Sequence, residues 1–224
     1  MNNDQLSYVM NWSNNLYVFM LGALLLFSGC IGIGDLIGDS DTPPTSTEEG
    51  LFVPNLEGKA HMLGSTDWID YSLYDELQLS WTNDSNSNEK WILIQFMDTD
   101  CGYCMNSAED MTVIHETYGG QLTLISVAVS LSIPNHESSR EEVVAFQEKN
   151  SLQTCNGGDY DCSERPGEPH NWTYLDDLQG NYLGSWGILG TPSHIILQPD
   201  GIVAWNQAQH PGQDVEQAIN LLLR

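Results

Sequence analysis

The chain has 224 residues, room for one domain of ordinary size plus additional segments. A hydrophobic share of 41% with seven tryptophans supplies a core and excludes global disorder. Six Lys and Arg against 31 Asp and Glu leave a formal net charge of −25, a field that repels phosphate backbones and excludes nucleic acid as a partner.

Residues 16–27 are apolar throughout and lead into Ser28, Gly29 and Cys30. Small residues before a cysteine resemble a lipoprotein signal peptide, which implies cleavage after residue 29 and lipidation of Cys30. Residues 1–29 lack Lys and Arg, however, and 16–34 form an uncharged run about long enough to span a bilayer, so an uncleaved membrane anchor and a buried helix also stay open. The first two readings tether the rest of the chain outside the cytoplasm. Residues 30–50 carry Asp35, Asp39, Asp41, Glu48 and Glu49 with two prolines and little to bury, so they are expected to be an acidic flexible tether. The domain is then expected over 51–224. Alternation of Leu77, Leu79 and Trp81 predicts strand structure leading into it, and the polar run 83–88 predicts a surface loop.

From Trp91 the pattern becomes regular. Residues 91–97 form an apolar, β-branched and aromatic run too short for a helix, hence a central strand. Cys101, Gly102, Tyr103 and Cys104 follow, and Cys104, Ala108, Met111 and Tyr118 recur at helical spacing up to Gly119 and Gly120. Residues 122–130 predict a second internal strand. Ser138 with Glu141 reads as a capping box for a helix carrying Val143, Val144 and Phe146 and ending near Asn150. An irregular, Gly-rich insertion over 151–170 carries Cys155 and Cys162. Residues 193–197 and 202–205 predict a hairpin around Pro199, Asp200 and Gly201, and Val215, Ala218, Ile219 and Leu222 mark a closing amphipathic helix. Alternating strands and helices predict an α/β sheet layered by helices.

Cys101 is thus expected where a strand ends and a helix begins. Unpaired N–H groups there stabilise an anion, so a thiol ionises more readily than a free cysteine. By spacing alone the same Cys-x-x-Cys is also a metal half-site. Asp98 and Asp100 oppose ionisation, because nearby negative charge disfavours a thiolate.

The order of strand, Cys101 to Cys104, helix, strand, helix, then Gly190, Thr191 and Pro192 opening a hairpin and a last helix, resembles the thioredoxin superfamily. The run from Trp186 to Ser193 with the following turn is similar to the membrane-tethered TlpA-like thiol-disulfide oxidoreductases. The resemblance spans about residues 70–223. It implies a thioredoxin-like fold: a central mixed sheet flanked by helices, an N-terminal strand extension, and an insertion before a cis-proline hairpin. It implies that Cys101 is the nucleophile and Cys104 the resolving thiol, that Pro192 is cis, and that Thr191 offers its backbone to an extended substrate, with Gly102 and Tyr103 on the substrate side. No cofactor is called for. Partners would be protein thiols or disulfides, the membrane through the N-terminus, and an electron donor the sequence does not name.

Gln95 stands where relatives often bury a carboxylate, and Tyr103 replaces the proline of reducing thioredoxins, so direction is open; TlpA-like relatives point to a reductase. For Cys155 and Cys162 a structural disulfide leads over a second redox pair and over a metal half-site with Cys101 and Cys104. Asp159 and Asp161 read as a solvated turn more readily than as a calcium site. His115 reads as a packing residue, and His194, close in sequence to Pro192, as either structural or proton-transferring. The sequons at Asn83 and Asn171 carry no functional claim. The competing reading of the whole is a binding protein whose cysteines carry copper or zinc.

Overall fold

The computed structural model describes residues 45–83, 88–131 and 136–223, which belong to one compact unit. The expectations for the segment 1–29, for Cys30 and for the tether up to residue 44 lie outside them. Strand β3 (Trp91–Met97) pairs in parallel with β4 (Leu122–Val129), and β4 in parallel with β5 (Thr173–Asp177). Parallel neighbours need crossovers, supplied by α1 (Gly102–Asn106), α2 (Ala108–Tyr118) and α3 (Arg140–Glu148). The hairpin of β6 (Ser193–Leu197) and β7 (Val203–Asn206) adds antiparallel to β3. Strands β1 (Glu57–His61) and β2 (Ile69–Ser72) add antiparallel beyond β5, giving the order β2-β1-β5-β4-β3-β6-β7. Helix α4 (Val215–Leu222) closes the chain.

Residue alternation divides the core. Leu93, Met97, Leu124 and Ala128 join buried residues from all four helices, among them Met111, Phe146 and Ile219. Ile92, Ile94, Phe96, Ile125 and Val127 face the other way and are covered by irregular chain carrying Val53, Leu56 and Trp186 and by Leu73 at the start of a short 3-10 turn. Trp186 is 1% exposed with its ring 5.4 Å from Phe96. Each such aromatic side chain removed from water contributes roughly 2–3 kcal/mol, so loop segments can do for this face what helices do for the other.

Five differences from the sequence reading have physical causes. Leu77 to Trp81 is not a strand: Leu77 plugs the second core while Leu79 is 72% exposed, and the strand extension lies earlier, in β1 and β2. Residues 45–50, expected within the tether, are held on the body: Gly50 N–H donates to the Val203 carbonyl, and Glu49 accepts from the Asn206 N–H and contacts His210. The first helix is interrupted at Ser107, whose hydroxyl donates back to the Cys104 carbonyl at 3.4 Å. Helix α3 is capped by Ser139, which accepts from the Glu142 N–H, because the Ser138 hydroxyl is drawn to Asp98 and Asp100 instead. Strand β5 was not expected at all; its apolar signal is only Tyr174 and Leu175 before two aspartates.

The insertion is anchored rather than loose. Arg165, fully buried, donates to the carbonyls of Phe146, Gln147, Pro166 and Glu168, two of them at the C-terminal end of α3 where the helix dipole is negative. Gln147 in turn donates to the Trp172 carbonyl at 2.7 Å, and His170 stacks on Trp172 with centroids 4.1 Å apart.

Candidate active site

Strand β3 ends buried at Met97, and the chain turns through Asp98, Thr99 and Asp100 before α1 begins. Cys101 is the N-cap of α1: its sulfur accepts the Cys104 N–H at 3.3 Å. In the thiol form it donates to the Thr191 carbonyl at 3.2 Å, and the Thr191–Pro192 peptide bond is cis. Residues 90 positions apart are thereby brought together, Cys101 on the helix start and the Thr191 backbone on the loop entering β6. Cys101 is half-buried and Cys104 is buried, and both are free thiols.

The two sulfurs differ in acidity. The Cys104 thiol hydrogen-bonds to Cys101, and with the backbone N–H groups of Cys104 and Tyr103 it outweighs burial, holding Cys101 down at about 6 against an ordinary 9.0. Burial, and then the same hydrogen bond from the other side, pushes Cys104 far up. One sulfur is therefore a half-buried thiolate near neutral pH and its neighbour a buried thiol.

Asp98 and Asp100 do not suppress this ionisation as expected, because their carboxylates turn into a donor-lined cluster. Asp98 accepts the N–H groups of Asp100 and Leu131 and the Ser138 hydroxyl. Asp100 accepts the Gly157 N–H at 2.7 Å and contacts His136 Nδ1 at 2.8 Å. The other imidazole nitrogen lies 3.5 Å from Glu142, so His136 bridges two carboxylates. Burial raises the Glu142 carboxyl to about 7 and that of Asp98 above its usual range. Asp100, His136 and Glu142 offer ligand atoms within 4.8 Å of one another, and in the structure the imidazole itself links the two acids.

Gln95 on β3 is buried and accepts from Ser126, which accepts from the Trp172 indole, a neutral network. His194 is held by Gln207, and burial lowers it to about 4. His115 packs on Trp172, with ring centroids 5.2 Å apart.

Cys155 and Cys162 form a disulfide and are fully buried. The loop they close reaches the active site: Asn156 N–H donates to the Thr99 carbonyl, and Gly157 to Asp100. Asp161 accepts from Ser151 and Ser163 in a capping box with Glu164, so this acid shapes the turn. Sequence reasoning missed Ser138, His136, Glu142, Asn156 and Gly157. Of these only Ser138 carried a signal, and it pointed to a helix cap. Gly102 has a steric reason: a Cβ there would lie 3.2 Å from the Asn156 side-chain oxygen. Tyr103, between the two cysteines, is 79% exposed, and Leu189, two residues before Thr191, is 97% exposed.

No family model matches this chain, and no curated protein does. Solved structures do. The reduced 2-Cys peroxiredoxin of Plasmodium vivax aligns with a TM-score of 0.50 at 15% identity over 80% of both chains. A domain of a possible thiol-disulfide isomerase from Cytophaga hutchinsonii aligns with a TM-score of 0.50 at 15% identity, covering 82% of this chain and 94% of that one. The fold is thus the thioredoxin-like one, an α/β architecture with a mixed central sheet.

Proposed function

We propose that the chain is a thiol-disulfide oxidoreductase that reduces protein disulfides outside the cytoplasm, tethered to a membrane through its N-terminus by lipid on Cys30 or by an uncleaved anchor. One observation carries the chemistry: Cys101 lies at the start of α1 with its sulfur on the Cys104 N–H and beside the Thr191 backbone. The names of the aligned structures, a 2-Cys peroxiredoxin and a possible thiol-disulfide isomerase, support the same class of reaction.

The Cys101 thiolate attacks one sulfur of a substrate disulfide; the substrate S–S bond breaks, a mixed disulfide forms, and the departing substrate thiolate takes a proton. On ionisation Cys101 no longer donates to the Thr191 carbonyl, which frees that backbone group to pair with an extended substrate segment. Cys104 then loses its proton and attacks Cys101, releasing the second substrate thiol and leaving a Cys101–Cys104 disulfide. Transfer of the attack to Cys104 coincides with loss of the Cys101 negative charge, which removes one of the causes holding Cys104 protonated. A dithiol donor returns two electrons and restores the pair.

Equilibration of the full chain with glutathione tests the direction. A reductase gives a potential near that of thioredoxin, about −270 mV, and a value near about −120 mV contradicts the assignment. Stoichiometric copper or zinc on unreactive Cys101 and Cys104 would favour the carrier reading instead.

A further inference from the structure

A groove of about 540 Å³ reaches Gly102, the residue that follows Cys101. One wall is α1, with Gly102 and Met105; the other is the disulfide-closed loop and its exit, with Asn156, Tyr160, Glu164 and Pro166. The walls are fixed to each other by the Asn156 and Gly157 N–H contacts with Thr99 and Asp100, and the loop is stapled by Cys155–Cys162. Position and rigidity therefore suit recognition of something bound at Cys101.

The lining selects a chemistry. Met105 and Pro166 give an apolar floor, Tyr160 is 48% exposed, and Glu164 and the Asn156 side chain supply acceptors. No basic residue lines the groove, and Arg165, next to Glu164 in sequence, is spent on buried carbonyls. We infer that the groove is a substrate subsite for a Lys or Arg side chain close to the substrate's reacting cysteine. This rests on the exchange reaction proposed above. The aliphatic stem lies along Met105 and Pro166, as long basic side chains do on apolar surface, while the cation meets the Tyr160 ring and the Glu164 carboxylate. Because Gly102 adjoins Cys101, and an extended chain advances roughly 3.3 Å per residue, the basic residue falls within about three positions of the cysteine. The net charge of −25 draws basic segments toward the molecule, and the groove decides which of them align.

Two isomeric peptide disulfides separate alignment from attraction. Both have the same composition, one with Arg two positions from its cysteine and the other with that Arg at the far end. The reduced full chain is expected to reduce the near isomer roughly tenfold faster, the worth of one well-placed cation contact, with the ratio falling toward unity in Glu164→Gln and in Tyr160→Ala. Equal rates for the two isomers, or a ratio unchanged in both variants, overturn the subsite. A Leu peptide outpacing the near-Arg isomer overturns it as well, in favour of an apolar occupant. The wild-type rate with bis(2-hydroxyethyl) disulfide, too small to reach the groove, reports the parent reading separately: no reaction there overturns the oxidoreductase itself.

Discussion

Four cysteines lie within one core cluster or against it, yet they form two unlike pairs. Cys155 and Cys162 are fully buried and bonded to each other. Cys101 is half-buried at the beginning of α1, where N–H groups and a neighbouring thiol stabilise its anion, while Cys104 behind it is kept protonated by burial. Local donors and exposure, more than cysteine spacing, separate a reactive pair from a staple. The staple nevertheless serves the reactive pair, because its loop is bonded to the two residues that precede Cys101.

The largest effect should come from removing the nucleophile. Cys101→Ser is expected to lower disulfide reduction by about 10³-fold or more, as loss of a catalytic nucleophile does, whereas Cys104→Ser should accumulate a mixed disulfide on Cys101 visible by intact mass. If Cys101→Ser retained wild-type turnover, the two pairs would have to exchange roles.

The next effect comes from Glu142, in the carboxylate cluster behind the turn. Burial holds its carboxyl at about 7 in the fold against an ordinary 4.5. A raised carboxyl favours the folded state fully below its unfolded value, and that contribution is lost as pH rises through about 7. Compared with Glu142→Gln by denaturant unfolding, the wild-type chain should therefore lose a few kcal/mol of relative stability between about pH 4 and about pH 8. A pH-independent difference would show that Glu142 does not titrate in this window.

Removing the staple should be milder. Cys155→Ser with Cys162→Ser opens a short loop and is expected to cost about 2–3 kcal/mol of stability by the chain-entropy account. Cys101 should keep its alkylation behaviour at temperatures where the variant stays folded. Loss of stability beyond this range would place the insertion among the main supports of the fold.

Much of this was legible in the sequence, for local reasons. The β3 run, the Cys-Gly-Tyr-Cys turn and the Gly-Thr-Pro hairpin each declare themselves within about ten residues, and their order implied the fold. Strands β1, β2 and β5 did not declare themselves. They are short, and β2 has no buried residue, so neither alternation nor an apolar run marks them. The cluster around Asp98 and Asp100 was illegible for a different reason. Its members come from the end of β3, the segment before α3 and α3 itself, and only tertiary contact makes Ser138 a ligand of carboxylates rather than a helix cap. That contact also takes the two aspartates out of the influence expected of them on Cys101, since sequence proximity does not say where a carboxylate points.

The contrast between the pairs rests on the ionisation of Cys101, and alkylation reads it directly. The reduced full chain, treated with iodoacetamide across pH and mapped by peptide mass, should react at Cys101 with a midpoint at about 6 while Cys104 stays unmodified. A midpoint near the ordinary 9.0, or equal labelling of both sulfurs, would contradict the account.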